Sequence, residues 1–259
     1  MKKIIPALIA IVLIFIVVGV SFGSMIMEKY SYSKEQTDLN EYYGITGDEA
    51  AIIMQDEVIE DRARVGADGT FYITYDTVSD YFIYTRLYVN EVENTIRYVL
   101  PDRILSYNIG ESSYMDGEDE NICEYQIAFY EGDTLYIAID FIRLFTIFDF
   151  ETFREPNRIQ IYTSYGERQV ASVEKDTQVR YQGGVKSEIL KEVAAGEQLI
   201  ILDQMETWSK VKTTDGIIGY VENKKLGETE VMTPSFVNNA SMYGELEFTG
   251  TSKEFKINM

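Results

Sequence analysis

The 259-residue sequence contains no histidine, and this absence excludes several classes of functional site. Without histidine the chain can form neither a Ser-His-Asp triad nor a Cys-His pair, and most zinc and copper sites lose their usual ligand. Cysteine occurs once, at Cys123, so an intrachain disulfide and a thiolate metal cluster are both excluded. The sequence therefore predicts no catalytic residue, no metal site and no cofactor.

Basic residues are also scarce. The 23 lysines and arginines stand against 43 aspartates and glutamates, which gives a net charge of −20. An acidic surface of this strength repels phosphate backbones, so nucleic acid is not expected as a partner. What the chain has in abundance is tyrosine, with 20 residues. Many of them alternate with other residue types, as in half-buried strands.

An uncharged run over residues 4–27 follows Lys2 and Lys3. A helix of about 20 apolar residues crosses a bilayer core, so this run is long enough to span a membrane. The paired lysines favour the cytoplasmic side, which predicts a single-pass protein of the cell membrane with an extracytoplasmic C-terminal part. The alternative is a cleaved signal peptide, whose apolar region normally covers about 7–15 residues. An extracytoplasmic chain without disulfides fits a Gram-positive or an anaerobic source.

An internal repeat follows, in which residues 70–78 match residues 134–142. Each copy comes after an acidic turn containing glycine and leads into a helical stretch, an asparagine-containing turn and another strand. Asp76 and Asp140 occupy the positions expected for helix N-caps. The repeat predicts an α+β stalk domain over residues 48–165.

The strand motifs of the two copies, at residues 72–74 and 136–138, resemble the copper amine oxidase N-terminal-like domain of Gram-positive surface proteins. The resemblance covers residues 48–165 and implies a stalk or spacer. Although the family is named for copper, the absence of histidine argues against a copper site here.

Short β-rich segments separated by turn residues fill residues 168–227, a pattern typical of a small barrel. Asp215-Gly216 between two such segments is a hairpin signal. The motifs at residues 179–180, 189–193 and 208–221 resemble the bacterial SH3 domain. That family often binds cell-wall peptides or serves as a spacer, so peptidoglycan or a cell-wall glycan is the partner that the resemblance implies.

Trp208 is the only tryptophan of the chain. One interpretation places it in the core or at the rim of the barrel. The other makes it an aromatic platform, together with Tyr181 and Tyr220, for a peptide or a glycan strand. The residues alone leave both interpretations open.

The order of these segments resembles the N-terminal half of membrane-anchored, chitinase-like family 18 glycoside hydrolases of clostridial-type bacteria. In that family a linker and a (β/α)8 barrel follow, and residues 255–259 resemble the first barrel strand. The family's motif Asp-Gly-x-Asp-x-Asp-x-Glu does not occur in this sequence. The acidic residues 116–120 have the wrong spacing for it and for known calcium loops, so we expect a solvated loop there.

These observations combine into one expected organisation, α+β and all-β in class, with five segments. They are a transmembrane anchor (1–27), a juxtamembrane spacer (28–47), the repeat domain (48–165), the SH3 domain (166–227), and a linker with the start of a missing domain (228–259). The expected function is a membrane-anchored extracytoplasmic stalk with a cell-wall-binding module. The alternative is a truncated family 18 glycoside hydrolase that acts on N-acetylglucosamine-containing polymers and lacks its catalytic barrel.

Overall fold

The computed structural model describes residues 31–82, 86–164, 166–233, 247–251 and 254–258. The predicted transmembrane anchor, residues 1–27, lies outside the described residues. Within the described ranges, no helix is long and apolar enough to cross a membrane. The prediction of a single-pass membrane protein is therefore not supported.

The chain divides into two compact units. The larger unit comprises residues 39–169 and 231–259, and the smaller comprises residues 1–38 and 170–230. Both are built mainly of strands, and the predicted α+β class is wrong. The physical reason is the length of the helices: the stretches after the two repeat copies form helices of seven and five residues, while the alternating residues around them form extended sheets.

The larger unit begins with a short helix and continues with strands and two further helices. They are α1 (Leu39–Tyr43), β1 (Glu49–Met54), β2 (Glu57–Val65), β3 (Phe71–Thr74), α2 (Tyr75–Tyr81), β4 (Arg86–Asn90), β5 (Thr95–Val99), β6 (Ile104–Asn108), β7 (Ser113–Asp116), β8 (Asp119–Ile122), β9 (Ala128–Glu131), β10 (Thr134–Ala138), α3 (Ile139–Arg143), β11 (Asp149–Phe153) and β12 (Arg158–Tyr162). One sheet has the order β11-β12-β1-β2-β3-β10-β9 and a second has the order β4-β5-β6-β7-β8.

The two repeat copies pair directly with each other. Strands β3 and β10 are antiparallel, and Ile73 lies opposite Ile137, the equivalent residue of the other copy. Each of these strands leads into a short helix and then a hairpin, β4-β5 in the first copy and β11-β12 in the second. The two paired strands are therefore related by a local two-fold axis between Ile73 and Ile137, both of which are fully buried, whereas the hairpins that follow them belong to different sheets.

The helix caps differ from those predicted. The N-cap of α2 is Thr74, whose hydroxyl oxygen accepts a hydrogen bond from the Thr77 backbone N–H at 3.0 Å. The N-cap of α3 is Ala138, which makes no side-chain hydrogen bond as a cap. Asp76 and Asp140 instead lie in the first helical turns, where a carboxylate interacts favourably with the helix dipole.

Aromatic rings fill much of the core of this unit. The ring of Phe141, on α3, contacts those of Tyr107 and Tyr114 edge to face, with centroids 4.8 and 5.3 Å apart. Phe145 and Tyr98 extend the cluster. Such pairs each contribute about 0.5–1.5 kcal/mol beyond the apolar area that they bury, which explains why the second sheet is so rich in tyrosine.

The smaller unit consists of short strands and one 3-10 turn. They are β13 (Arg168–Val173), β14 (Thr177–Arg180), β15 (Ile189–Val193), β16 (Gln198–Gln204), β17 (Trp208–Lys212), β18 (Ile218–Glu222), the turn Asn223–Lys225 and β19 (Leu226–Met232). They form one sheet with the order β15-β14-β18-β17-β16-β13-β19. Two further strands, β20 (Glu247–Thr251) and β21 (Glu254–Asn258), pair antiparallel with each other.

Two glycines shape the hairpin formed by β17 and β18. Gly216 has a φ of 80°, which the turn between these strands requires, and this is the turn predicted from Asp215-Gly216. Gly219 lies where β18 crosses β14. A Cβ at this position would lie 2.6 Å from the carbonyl oxygen of Arg180 and 2.6 Å from a methyl carbon of Val179. Only glycine allows the two strands to approach this closely.

Candidate functional site

Two of the three predicted aromatic residues, Trp208 and Tyr220, lie on one face of β17 and β18. Trp208 lies opposite Glu222 and Lys210 lies opposite Tyr220. Residues directly opposite each other share a face of the sheet, so these four side chains lie together. The intervening residues of both strands are buried, whereas the four are partly exposed. We call Trp208, Lys210, Tyr220 and Glu222 the outer face.

Trp208 is partly covered at the base of its indole. A Cβ on Gly183 would lie 3.3 Å from both Cβ and Cγ of Trp208. The backbone at Gly183 therefore passes against the indole, and a larger residue would push the ring outward. The Trp208 side chain is thus covered on one side and remains partly exposed.

Tyr181 lies apart from the other two predicted residues. It directly follows the end of β14, its side chain is 49% exposed, and its backbone N–H donates to the carbonyl of Glu188. Its neighbour Arg180 lies opposite Tyr220 across the β14–β18 pair. The structure thus unites Trp208 and Tyr220 on one face and places Tyr181 at the end of the adjacent strand.

The most unusual residue beside the outer face is Arg180, which sequence reasoning did not single out. Its guanidinium is buried and donates to the carbonyl oxygens of Ser187 and Ser33 and to the side-chain oxygen of Gln178, at 2.5, 3.1 and 3.1 Å. Burial lowers the pKa of Arg180, which remains charged. In the sequence, the Val179-Arg180 motif indicates only the SH3 fold and not a buried arginine that binds a neighbouring segment.

The segment over residues 31–37 lies against this arginine. The Tyr32 ring is 5.5 Å from the guanidinium carbon of Arg180 and 5.7 Å from Nζ of Lys224. The Tyr32 hydroxyl donates to a carboxylate oxygen of Glu222 at 2.8 Å and accepts from Lys224 at 3.0 Å. The hydrogen bond from Lys224 to Tyr32 and its ion pair with Glu222, at 2.9 Å, raise the pKa of Lys224 to about 12. Tyr32 is therefore clamped between two cations and an outer-face carboxylate.

A cavity of about 580 Å³ lies beside this segment. Its charged lining residues include four cations and two carboxylates: Lys34, Arg180, Lys224, Lys225, Asp176 and Glu192. On a chain with a net charge of −20 this is a locally basic surface. Arginine and lysine bind carboxylates with charge-assisted hydrogen bonds, so the cavity suits a ligand that carries carboxylate groups.

The acidic residues 116–120 span the end of β7, a tight turn in which Gly117 has a φ of 66°, and the start of β8. They are not part of the face described above. Across the described ranges, no group of three or more acidic or cysteine residues is arranged to hold a metal ion.

Comparison with known families identifies one part of the smaller unit. The family model described as the bacterial SH3 domain matches residues 175–226. Residues 175–226 form a bacterial SH3 domain. The match contains β14 to β18 and the whole outer face, while the segment over residues 31–37 lies outside it.

No curated protein and no solved structure matches the chain. The comparisons therefore give no support to the predicted family 18 glycoside hydrolase parentage or to the predicted copper amine oxidase N-terminal-like domain.

Proposed function

We propose that the SH3 domain binds cell-wall material, with peptidoglycan as the partner, and that the outer face makes the contact. The observation that carries this proposal is the position of Trp208 and Tyr220, which lie partly exposed on one face of a domain whose family suggests wall binding.

The chemistry of the surface supports such a ligand. Aromatic rings offer flat apolar area with little loss of side-chain entropy, and they pack well against the apolar faces of sugar rings or peptide side chains. The basic cavity beside the outer face adds donors for peptide carboxylates, which peptidoglycan stem peptides carry. Tyr181, at the end of β14, extends the same surface. In this proposal residues 166–227 are the binding module and residues 48–165 a separate domain.

The test is co-sedimentation of the full chain with purified peptidoglycan sacculi. We expect saturable binding that weakens about tenfold in Trp208→Ala, equivalent to about 1.4 kcal/mol of binding free energy. Tyr181→Ala should weaken binding less, because that residue lies at the edge of the surface. The matched control is Tyr88→Ala, which removes a tyrosine that is 57% exposed on β4 of the other unit and should leave binding unchanged.

Circular dichroism and thermal unfolding of each variant separate a lost contact from a lost fold. Absence of saturable binding by the unaltered chain would refute wall binding. Equal binding by Trp208→Ala and the unaltered chain would refute the outer face as its site.

A further inference from the structure

The segment over residues 31–37 is joined to the SH3 domain as an added strand. The backbone N–H of Ile189 donates to the carbonyl of Glu35 at 2.8 Å, and the N–H of Thr37 donates to the carbonyl of Ile189 at 2.9 Å. The bridge between Gln36 and Ile189 is parallel. Strand β15 is at the edge of its sheet, and such an edge presents unpaired backbone groups that an extended peptide can use.

Further contacts extend this pairing towards the start of the segment. The N–H of Ser33 donates to the carbonyl of Val185 at 2.8 Å, and the carbonyl of Ser33 accepts from buried Arg180. Lys186 donates to the side chain of Ser31 at 3.0 Å. The Tyr32 side chain, held by the cations and the carboxylate described above, supplies the specific anchor.

Backbone pairing that gives affinity, combined with side-chain contacts that give specificity, is the pattern by which domains recognise extended peptides through strand addition. The segment shows this pattern although it lies outside the part of the chain that matches the SH3 family and is separated from it by more than a hundred residues of sequence. The edge of β15 can therefore bind an extended peptide, and in this structure residues 31–37 of the same chain occupy it.

We propose that the groove along β15 and Arg180 is a peptide-binding site for an extended peptide that carries a tyrosine, and that residues 31–37 are its resident occupant. A peptide from another molecule pairs with Ile189 in the same way and places its tyrosine between Arg180 and Lys224. The cavity beside the segment leaves room for side chains that flank the tyrosine. This proposal does not depend on wall binding.

Covalent attachment gives the resident segment an advantage over any free peptide. A tethered segment typically competes at an effective concentration in the millimolar range. A free peptide should therefore bind measurably only when the resident segment is weakened. Tyr32→Ala removes the anchoring ring, and Ser33→Pro removes the N–H that donates to Val185.

The experiment measures fluorescence anisotropy of a labelled synthetic peptide with the sequence of residues 31–38, titrated with the full chain. We expect the Tyr32→Ala/Ser33→Pro chain to bind at least tenfold more tightly than the unaltered chain. A peptide with alanine in place of tyrosine should bind at least tenfold more weakly. Adding Glu222→Ala to the chain should weaken binding, whereas adding Glu228→Ala, an exposed change on β19, should not.

Binding of the tyrosine peptide no tighter than the alanine peptide would overturn the site. Equal peptide binding by the unaltered chain and by the Tyr32→Ala/Ser33→Pro chain would refute the claim that residues 31–37 occupy the peptide site. If the proline variant loses its circular dichroism spectrum, Tyr32→Ala alone carries the test, because it leaves the backbone unchanged. Sacculus binding is measured separately, so failure of either proposal is distinguishable from failure of the other.

Discussion

Strand pairing between distant parts of the sequence occurs in both units, but the two pairings differ in depth. In the repeat unit β3 pairs with β10 in the middle of a sheet, and the central residues Ile73 and Ile137 are fully buried. In the SH3 domain the segment over residues 31–37 pairs at a sheet edge, and its main side chain, Tyr32, remains 43% exposed.

The difference shows how burial decides whether a paired strand is permanent or removable. A fully buried isoleucine adds about 1.5–3 kcal/mol of apolar stabilisation to the hydrogen bonds of its strand. A backbone hydrogen bond alone contributes only about 0.5–1.5 kcal/mol net, because water replaces it on release. The segment over residues 31–37 relies mostly on such bonds, so it should open locally long before the β3–β10 pair separates.

The largest effect is expected from the β3–β10 pair. Ile137→Ala should lower the free energy of unfolding by about 2–5 kcal/mol, because it leaves a cavity between the two repeat copies. Ile73→Ala should cost a similar amount, since Ile73 is also fully buried and lies directly opposite Ile137. Urea unfolding followed by circular dichroism measures both.

The double variant sharpens this test. Because Ile73 and Ile137 are direct partners, their effects should be non-additive by at least about 0.5 kcal/mol. Simple additivity of the two costs would contradict direct packing of Ile73 against Ile137.

A smaller loss is expected from Gly219→Ala in the SH3 domain. The added methyl group would collide with the backbone of β14, so we expect a cost of about 1–3 kcal/mol. The matched control is Gly184→Ala, where a Cβ meets nothing within 4 Å. Urea unfolding followed by the fluorescence of Trp208, the only tryptophan, reports on this domain directly. Equal costs for the two variants would show that the close approach of β14 and β18 is unimportant.

The smallest effect concerns Asp140 in α3. Burial raises the pKa of this carboxyl group, with Arg143 acting in the opposite direction. A raised folded-state pKa means that the ionised carboxylate destabilises the fold, and that this cost disappears as the pH falls below the ordinary aspartate pKa of about 4. Asp140→Asn should therefore raise stability at pH 7 by less than about 1 kcal/mol and leave it unchanged near pH 3.

The equivalent residue of the first copy provides the control for this change. Asp76 is exposed in α2, so Asp76→Asn should show no such gain at pH 7. The comparison uses urea midpoints at the two pH values. A gain for Asp140→Asn that persists at pH 3 would contradict an origin in ionisation.

Local sequence was sufficient to predict the SH3 domain. Asp215-Gly216 is a turn signal that works through two neighbouring residues, and the structure has the hairpin there. The repeat was also visible as a sequence match. What the match did not reveal is that its two copies pair with each other, because strand partners depend on the folded chain and not on either strand alone.

The predicted fold class was wrong because the helices of the repeat domain are short, while most of the surrounding residues form strands. Asp76 and Asp140 predict the N-caps of two short helices, whereas the structure begins each helix earlier and ends it within two turns. The interaction of Tyr32 with Arg180 could not be predicted either. The segment is polar and lacks clear alternation, and its partner lies far away in sequence.

The antiparallel pairing of β3 with β10 also bears on ancestry. Symmetry that relates two equivalent strands about an axis is the symmetry of a homodimer, in which one surface binds an identical surface. A polypeptide with a single repeat copy would present the same strand edge to a second molecule of itself. Gene duplication followed by fusion would then turn strand pairing between two molecules, which depends on concentration, into pairing within one chain, which does not.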